Sequence, residues 1–351
     1  MAAWEEYVRK VVPYTPGEQP NRPKMIKLNT NENPYPPSPK VTKALQELDT
    51  DSLRRYPDPS AGTLVKALAD YYQVKENQIF VGVGSDDVLA MSFLTFFNSG
   101  KPILFPDITY SFYDVWADLY RIPYECQPLD DQFQIRIEDY AKDCGGIVIP
   151  NPNAPTGVAL SLENIEAMVA KKPEIIVIID EAYIDFGGTS ALSLLPKYDN
   201  LLVVQTFSKS RSLAGMRIGY AIGNPKLIQY LQDVKYSFNS YTMDTTTLAL
   251  GAEAVKDREY FTKTLEKVIA TRERVKVELK KLGFEFADSK SNFIFATHPR
   301  YSAKVLFEAL KKADIYVRYF NKPRIQEYLR ISIGTEEEMD ELLAFLKKYI
   351  Q

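Results

Sequence analysis

Between about residue 60 and residue 205, short aliphatic runs alternate with stretches of helical periodicity. A strand that is apolar on both faces is typical of a parallel sheet covered by helices on both sides. The sequence therefore predicts an α/β fold with a mostly parallel sheet and ligand chemistry at the carboxyl ends of its strands. The predicted strands are 79–83, 102–105, 145–149, 175–179 and 201–204, and the predicted helices between them include 64–72, 86–97 and 162–169.

The segments on either side of this region have a different character. Residues 1–40 are rich in proline, which predicts an extended arm, although a floppy leader remains an alternative. After residue 255 a long charged helix is predicted, with apolar residues at helical spacing up to Leu282 and Gly283 as its C-terminal cap. Strands are predicted at 292–296, 315–318 and 328–333. We therefore expect three parts: an arm (1–40), a large α/β domain (41–255) and a smaller α+β C-terminal domain (256–351).

The composition excludes several mechanisms. His298 is the only histidine, and Cys126 and Cys144 are the only cysteines, so histidine-rich metal sites, Ser-His catalysis and a disulfide framework are not expected. The net charge of −3 comes from interspersed acidic and basic residues, which argues against a nucleic-acid partner. No apolar run is long enough for a membrane span and no secretory signal is evident. We expect a cytoplasmic protein whose proton chemistry uses a carboxylate, a tyrosine or a lysine.

Polar residues that are unusual for a buried core follow two of the predicted strands. Asp180 ends five consecutive aliphatic residues, where a carboxylate is costly unless a cationic group meets it. A helix N-cap is the alternative interpretation. Lys209 follows another buried strand by a few residues, with Arg211 and Arg217 close behind. A desolvated lysine near other cations becomes a nucleophilic amine, although most lysines are simply solvated.

A third strand leads through a glycine turn, Gly82 to Gly84, into a helix that begins near Ser85. Such a turn presents free backbone N–H groups to a phosphate, but a plain strand-to-helix turn gives the same pattern. Together the three strand ends offer an amine, a buried acid and a phosphate cradle. Pyridoxal phosphate requires this set: an amine to form an imine, an acid to protonate its ring nitrogen, and a site for its phosphate.

Several motifs resemble the fold-type I aminotransferases, and among them the histidinol-phosphate aminotransferase family, over nearly the whole chain. They are Asn29-Thr30-Asn31-Glu32-Asn33-Pro34, Arg55-Tyr56-Pro57-Asp58, the 151–157 segment, Asp180-Glu181-Ala182-Tyr183, Thr206-Phe207-Ser208-Lys209 and Arg217-Ile218-Gly219-Tyr220.

The resemblance implies a role for each matching residue. Lys209 would carry pyridoxal 5'-phosphate as a Schiff base, Asp180 would pair with its ring nitrogen, and Tyr183 would bind its phenolic oxygen. Tyr56 would reach the phosphate of the cofactor in a second copy of the chain, which implies a homodimer. Tyr110 would stack on the ring, and the phosphate would be held by Ser85, Asp86, Ser208 and Arg217.

One position departs from the family pattern. Where the family usually has a second asparagine that contacts the phenolic oxygen, this chain has Ala154, in Asn153-Ala154-Pro155-Thr156-Gly157. Alanine cannot donate that hydrogen bond. Three alternatives remain open: Tyr183 serves alone, Asn153 takes over, or a water molecule does.

Two arginines are candidates for substrate binding. Arg330 alternates with apolar neighbours along a predicted strand, and its planar fork suits a carboxylate, although a structural ion pair is an alternative. Arg318 lies on a similar strand, where the resemblance implies contact with a substrate phosphate. The implied reaction passes an amine from histidinol phosphate to 2-oxoglutarate, giving glutamate. An aromatic amino-acid aminotransferase and a threonine-phosphate decarboxylase are alternatives, and a regulator that binds the cofactor without turnover is disfavoured.

Overall fold

A computed structural model of the chain describes residues 3–350. Its strands are β1 (Ile26–Lys27), β2 (Ile79–Val83), β3 (Ile103–Pro106), β4 (Tyr124–Gln127), β5 (Gly146–Pro150), β6 (Val177–Asp180), β7 (Leu201–Thr206), β8 (Ile218–Gly223), β9 (Glu285–Phe286), β10 (Phe293–Thr297), β11 (Ile315–Tyr316), β12 (Arg318–Tyr319) and β13 (Tyr328–Ser332). Its α-helices are α1 (Pro39–Gln46), α2 (Gly62–Tyr72), α3 (Gly84–Phe96), α4 (Tyr113–Tyr120), α5 (Leu162–Ala170), α6 (Pro225–Phe238), α7 (Thr245–Lys256), α8 (Arg258–Lys281), α9 (Ala303–Lys312) and α10 (Glu336–Ile350).

Seven strands form the large sheet, in the order β2-β8-β7-β6-β5-β3-β4. Every neighbouring pair is parallel except the two that involve β8, which runs antiparallel to β2 and β7. Side chains alternate between two helical layers: Phe80 packs with α3, α4 and α6, whereas Ile79 and Val81 pack with α2 and α7. Burial on both faces explains the aliphatic runs. The predicted fold class is confirmed.

The register brings the carboxyl ends of the central strands together. Pro150 at the end of β5 lies beside Asp180 of β6, which in turn lies beside Val204 of β7. Parallel strands all end at the same edge of a sheet, so the residues that follow them must meet there. This edge is where the polar residues singled out in the sequence are found.

Two strands of the large sheet were not expected from the sequence. The motif at 217–220 continues into β8, whose glycines break up any aliphatic run. Strand β4 lies at the edge, and three of its four residues are exposed. Most predicted strands differ from the observed ones by one or two residues at an end, and two of these differences affect the sheets. The strand predicted at 175–179 begins at Val177 and includes Asp180, and the one predicted at 315–318 divides into β11 and β12, which belong to different sheets.

The C-terminal part contains a second, antiparallel sheet of four strands in the order β12-β13-β10-β9. Helices α8, α9 and α10 pack against it around a core that includes Val275, Leu310 and Leu342. The long helix α8 ends as the sequence predicted, with Gly283 at φ +85° just beyond it. The domain boundaries near residues 40 and 255 stay a prediction. No helix within residues 3–350 is both long and apolar enough to span a membrane.

The N-terminal arm is docked on the rest of the molecule. Beyond a short 3₁₀ turn at Ala3–Tyr7 it has little regular structure until β1, which pairs in parallel with β11. The side chain of Leu28 is buried in the core of the C-terminal part. The ring of Tyr14 stacks on that of Phe112, which directly precedes α4, at a centroid distance of 4.1 Å. The proline-rich composition predicted an extended arm rather than a helix or strand, so the short strand β1 departs from that prediction.

Candidate active site

The carboxyl ends of the large sheet's strands surround a cavity of about 230 Å³. It is lined by Thr30, Glu32, Ser85, Asp86, Tyr110, Pro150, Pro152, Ala154, Asp180, Ala182, Tyr183, Thr206, Ser208, Lys209, Ala214 and Arg217. An adjoining cavity shares Tyr110, Tyr183, Lys209 and Arg217 with it and adds Arg318 and Arg330. The structure thus brings together every predicted site residue except Tyr56.

Asp180 is the acid at the base of this cavity. Its side chain accepts hydrogen bonds from the hydroxyl of Tyr113 at 2.7 Å and from the backbone N–H of Ala182 at 3.2 Å. Burial raises the pKa of the carboxyl to about 6, and these two donors only partly offset that effect. A cation or a shared proton within the cavity would therefore stabilise the carboxylate.

Lys209 follows β7 and projects into the same cavity. Its Nζ donates to the backbone carbonyl of Thr30 at 3.2 Å and lies 5.8 Å from the centroid of the Tyr183 ring. Among residues 3–350, no carboxylate oxygen lies within 4.0 Å of this Nζ. The amine is half-buried and free of a salt bridge, so it is available for covalent chemistry.

The turn from β2 into α3 forms an anion cradle. Gly84 has φ +86°, and a Cβ there would lie 2.4 Å from the guanidinium of Arg217. A Cβ on Gly219 would lie 2.2 Å from the backbone at Gly84 and Ser85, so β8 can approach the turn only because it has glycine here. The first N–H groups of a helix have no partners within it, so the start of α3 offers donors to an anion. Glycine at both positions therefore lets Arg217 and β8 lie close to the start of α3.

Cationic and hydroxyl groups complete the cradle. Arg217 forms an ion pair with Asp86 at 3.0 Å, and its Nη1 lies 3.5 Å from the hydroxyl oxygen of Ser208. The Asp86 carboxylate also accepts from the hydroxyl of Tyr110 at 2.7 Å. A carboxylate repels a phosphate, so Asp86 can offer the anion only its backbone N–H, while its side chain orients Arg217 and Tyr110.

The two predicted cofactor tyrosines are held by different partners. Burial and the nearby Asp86 carboxylate raise the pKa of Tyr110 well above its usual range, which keeps the phenol protonated. Tyr183 packs edge-on against Phe293 with a centroid distance of 5.1 Å. Its hydroxyl accepts a hydrogen bond from the side-chain amide of Asn31 at 2.9 Å. Both rings therefore face the cavity in fixed orientations.

The structure bears on the unusual residue Ala154, which lines the cavity with a methyl group. The side-chain amide of the preceding Asn153 donates to the carbonyl of Ile108 at 2.9 Å and to the hydroxyl of Thr156 at 3.1 Å. An amide nitrogen carries two hydrogens, and both are engaged. Asn153 therefore has no free donor to offer in place of the missing asparagine.

Arg318 and Arg330 are direct cross-strand partners on β12 and β13. Like charges in this position repel each other, and no carboxylate within residues 3–350 lies within 4.0 Å of either guanidinium. Burial lowers the pKa of Arg330, and the neighbouring Arg318 lowers it further. The buried Nε of Arg330 has no hydrogen-bond partner within the described chain, and one Nη donates to the carbonyl of Asn29 at 3.0 Å. The pair forms a site for an anion.

Tyr56 lies away from the cavity of its own chain. Its side chain is 82% exposed and stacks on Tyr241 at a centroid distance of 4.8 Å. Sequence reasoning also missed two residues that contact the site. Tyr113 lies three positions beyond Tyr110 with no signal of its own, whereas Asn31 lies within a motif that had been singled out.

The donor set fits pyridoxal phosphate. The cradle near Gly84 suits its phosphate, Asp180 suits a protonated ring nitrogen, and Lys209 suits its aldehyde. Tyr110 supplies an aromatic face for the ring. The acid and the cradle are contributed by different strands of one sheet, so the cavity can hold a molecule that carries an anion at one side and a protonated nitrogen at another.

The fold and the site define an aminotransferase. The sequence matches the family model described as aminotransferase class I and II over residues 23–346, and the chain belongs to that family.

Its relatives narrow this assignment. Histidinol-phosphate aminotransferase from Lactococcus lactis subsp. cremoris (strain MG1363) is 53% identical over 349 residues, covering 99% of this chain and 98% of the relative. Histidinol-phosphate aminotransferase 1 from Pseudomonas fluorescens is 53% identical and covers 97% of each chain. Within the class I and II family the chain therefore groups with the histidinol-phosphate aminotransferases, as its motifs predicted.

Solved structures share the fold. The histidinol-phosphate aminotransferase of Clostridium acetobutylicum has a TM-score of 0.85 at 24% identity, covering 93% of this chain and 99% of that one. The enzyme of Sinorhizobium meliloti, solved in complex with pyridoxal-5'-phosphate, has a TM-score of 0.84 at 23% identity and covers 93% and 91% of the two chains.

The raised pKa of Asp180 predicts how this residue affects stability. The folded-state pKa of about 6 exceeds the ordinary value of 3.8, so folding is favoured while the group is protonated. This stabilisation is fully present below about pH 4 and is lost as the pH rises through 6. The comparison uses protein freed of ligands. The free energy of unfolding of wild type minus that of Asp180→Asn should fall by about 3 kcal/mol between pH 4 and pH 8.

Urea denaturation of both proteins at the two pH values measures this difference. Tyr113→Phe is the companion variant, because it removes a hydrogen-bond donor that lowers the pKa of Asp180. The free energy of unfolding of this variant should therefore fall more steeply with rising pH than that of wild type. A difference between wild type and Asp180→Asn that does not vary with pH would contradict this account of Asp180.

Proposed function

We propose that the chain is a pyridoxal-phosphate-dependent histidinol-phosphate aminotransferase that passes the amine to 2-oxoglutarate. The observation that carries the proposal is the pair of unpaired cations, Arg318 and Arg330, in a cavity that also contains Lys209. The names of its relatives, at about half identity over nearly the full chain, agree with this substrate.

Each predicted site residue has a role in this proposal. When bound, the cofactor supplies an aldehyde that takes up the amine and a ring that withdraws electrons. Lys209 Nζ would form the covalent link, Asp180 would keep the ring nitrogen protonated, and Tyr183 would donate to the phenolic oxygen. Tyr110 would pack on the ring face. The phosphate would bind Ser85, Ser208, Arg217 and the backbone N–H of Asp86.

Lys209 would also move the proton. Its Nζ would act as the base that takes the proton from the substrate carbon that bears the amine. The carbonyl of Thr30, which accepts from Nζ at 3.2 Å, holds the amine near this position. The single histidine, His298, does not line the cavity, whereas Lys209 does and supplies its amine.

The two arginines would divide the anions of the two substrates. Arg318 would bind the phosphate of histidinol phosphate, which has no carboxylate. Arg330 would bind a carboxylate of 2-oxoglutarate or glutamate, for which its planar fork is suited. The unsatisfied Nε of Arg330 supports this role, because a buried donor without a partner is costly until a ligand meets it.

A second candidate function is aromatic amino-acid transamination. The ring of Phe320 lies 5.5 Å from both guanidinium carbons, and Phe293 lies 5.4 Å from that of Arg330. Of these two rings, that of Phe320 lines the cavity, where it would pack against an aromatic side chain. A substrate panel that compares histidinol phosphate with phenylalanine and tyrosine separates the two functions.

We also infer a homodimer in the cytoplasm. The exposed Tyr56 is stacked on Tyr241, and Tyr236 and Phe238 add further exposed aromatic surface on a neighbouring segment. Such a surface suits a second copy of the chain, whose cofactor phosphate Tyr56 would reach. The two cysteines are free, which agrees with a reducing compartment.

Covalent trapping tests the role of Lys209. Borohydride reduction should fix the cofactor to Lys209, and Lys209→Ala should lose both this attachment and transamination. Lys27→Ala is the matched control, because the Lys27 amine binds Glu32 and Thr30 at the same cavity and should leave trapping unchanged. Peptide mapping by mass spectrometry identifies the modified residue. Attachment to a different lysine would refute the assignment.

Substitution of Arg318 tests the substrate. A charge-assisted hydrogen bond is worth roughly 1.5 to 3 kcal/mol, so Arg318→Leu should lower kcat/KM for histidinol phosphate by about 10- to 150-fold. Activity toward unphosphorylated histidinol or phenylalanine should fall far less. Lys322→Leu is the matched control, because Lys322 is an exposed cation that lines a third, neighbouring cavity together with Arg318. Equal losses for all substrates would contradict a phosphate contact.

A further inference from the structure

Because this chain has alanine at position 154, Tyr183 is the side chain that would have to bind the cofactor's phenolic oxygen. A tyrosine hydroxyl carries one hydrogen and can also accept. It donates to the cofactor only if its proton is not drawn toward another acceptor. The groups around the Tyr183 hydroxyl therefore decide whether it can serve.

Asn31 is the neighbour that sets the direction of this hydroxyl. Its Nδ2 lies 2.9 Å from the Tyr183 oxygen, and its Oδ1 accepts from the hydroxyl of Ser332 at 2.9 Å. The Ser332 oxygen in turn accepts from the backbone N–H of Asn31 at 2.9 Å. If the amide were flipped, Ser332 would face two donors and its own proton would lose its acceptor. This closed arrangement fixes the amide nitrogen toward Tyr183.

The backbone of Asn31 is held equally firmly. Its carbonyl accepts from the side chain of Asn292 at 2.9 Å, and both Asn31 and Ser332 are buried. Asn31 has φ +58°, a conformation that asparagine and glycine adopt more readily than other residues. The amide is therefore placed by three contacts that do not involve Tyr183, so it is oriented before any ligand binds.

We infer that Asn31 is a positioning residue that makes Tyr183 a hydrogen-bond donor to the phenolic oxygen of the bound cofactor, in place of the donor that Ala154 lacks. The Asn31 amide occupies a lone pair of the Tyr183 oxygen, which turns the tyrosine proton toward the cavity. The inference rests on the proposed function, because it requires pyridoxal phosphate at Lys209.

The inference predicts a spectroscopic effect that does not depend on turnover. A donor to the phenolic oxygen stabilises its negative charge most when the linking nitrogen has lost its proton. Loss of the donor should therefore raise the pH midpoint at which the visible absorbance of the bound cofactor changes. A hydrogen bond of ordinary net strength corresponds to a shift of roughly 0.5 to 1 pH unit.

The test is a pH titration of cofactor absorbance in the full-length holoprotein. Tyr183→Phe should raise the midpoint, and Asn31→Gly should raise it by a similar or smaller amount. Glycine accepts the positive φ and keeps the backbone contacts, so this variant removes only the amide. In the double variant the two shifts should not add, because without the hydroxyl Asn31 has nothing to orient.

Two further variants keep the result interpretable. Ser332→Ala releases the Asn31 amide, so this single variant should have a higher midpoint than wild type. Added to Tyr183→Phe, the same substitution should leave the midpoint unchanged. Asn29→Ala is the matched control: this buried neighbour donates to the carbonyl of Glu18 and does not touch Tyr183, so the midpoint should stay unchanged.

The outcomes distinguish the inference from the proposed function. An unmoved midpoint in Asn31→Gly, or shifts that add in the double variant, would overturn the role of Asn31 while leaving the cofactor assignment intact. A wild-type protein that develops no visible absorbance with pyridoxal phosphate would overturn both.

Discussion

The burial of one carboxylate at the end of a central strand determines how the rest of the site is built. Asp180 lies on β6 between β5 and β7, where it is almost fully buried, and burial raises its pKa to about 6. Tyr113 and the N–H of Ala182 are its donors, which is a small number for a buried anion. The cost of that burial is offset only when the cavity holds a group that shares a proton with the carboxylate.

The remaining charges are separated from Asp180 along the cavity. Arg217 and the start of α3 form a positive region, and the cross-strand pair of Arg318 and Arg330 forms a second one on the other sheet. A ligand with a phosphate and a basic ring nitrogen can satisfy the first region and Asp180 in only one orientation. A second anion then finds its place at the arginine pair. In the proposed function, the large sheet would hold the reactive group and the small sheet would select the substrate that approaches it.

The sequence predicted the fold class and the residues that interrupt its apolar runs. Lys209 and Asp180 could be found because a charge at the end of a buried strand is conspicuous. Strand β8 could not, because its glycines leave no aliphatic run. The 207–217 connection contains no α-helix that crosses over the sheet, and β8 returns antiparallel to β7. Tyr113 and Asn31 act on Asp180 and Tyr183 across 67 and 152 positions of the chain, and no local pattern encodes such contacts.

The central claim is that Asp180 shares a proton with the ring nitrogen of the cofactor, and ¹⁵N magnetic resonance observes that proton directly. The protein would be loaded with pyridoxal phosphate labelled at the ring nitrogen, and its chemical shift recorded at pH 8. The account predicts the shift of a protonated nitrogen in wild type and of an unprotonated nitrogen in Asp180→Asn. An unprotonated ring nitrogen in the wild-type protein would contradict it.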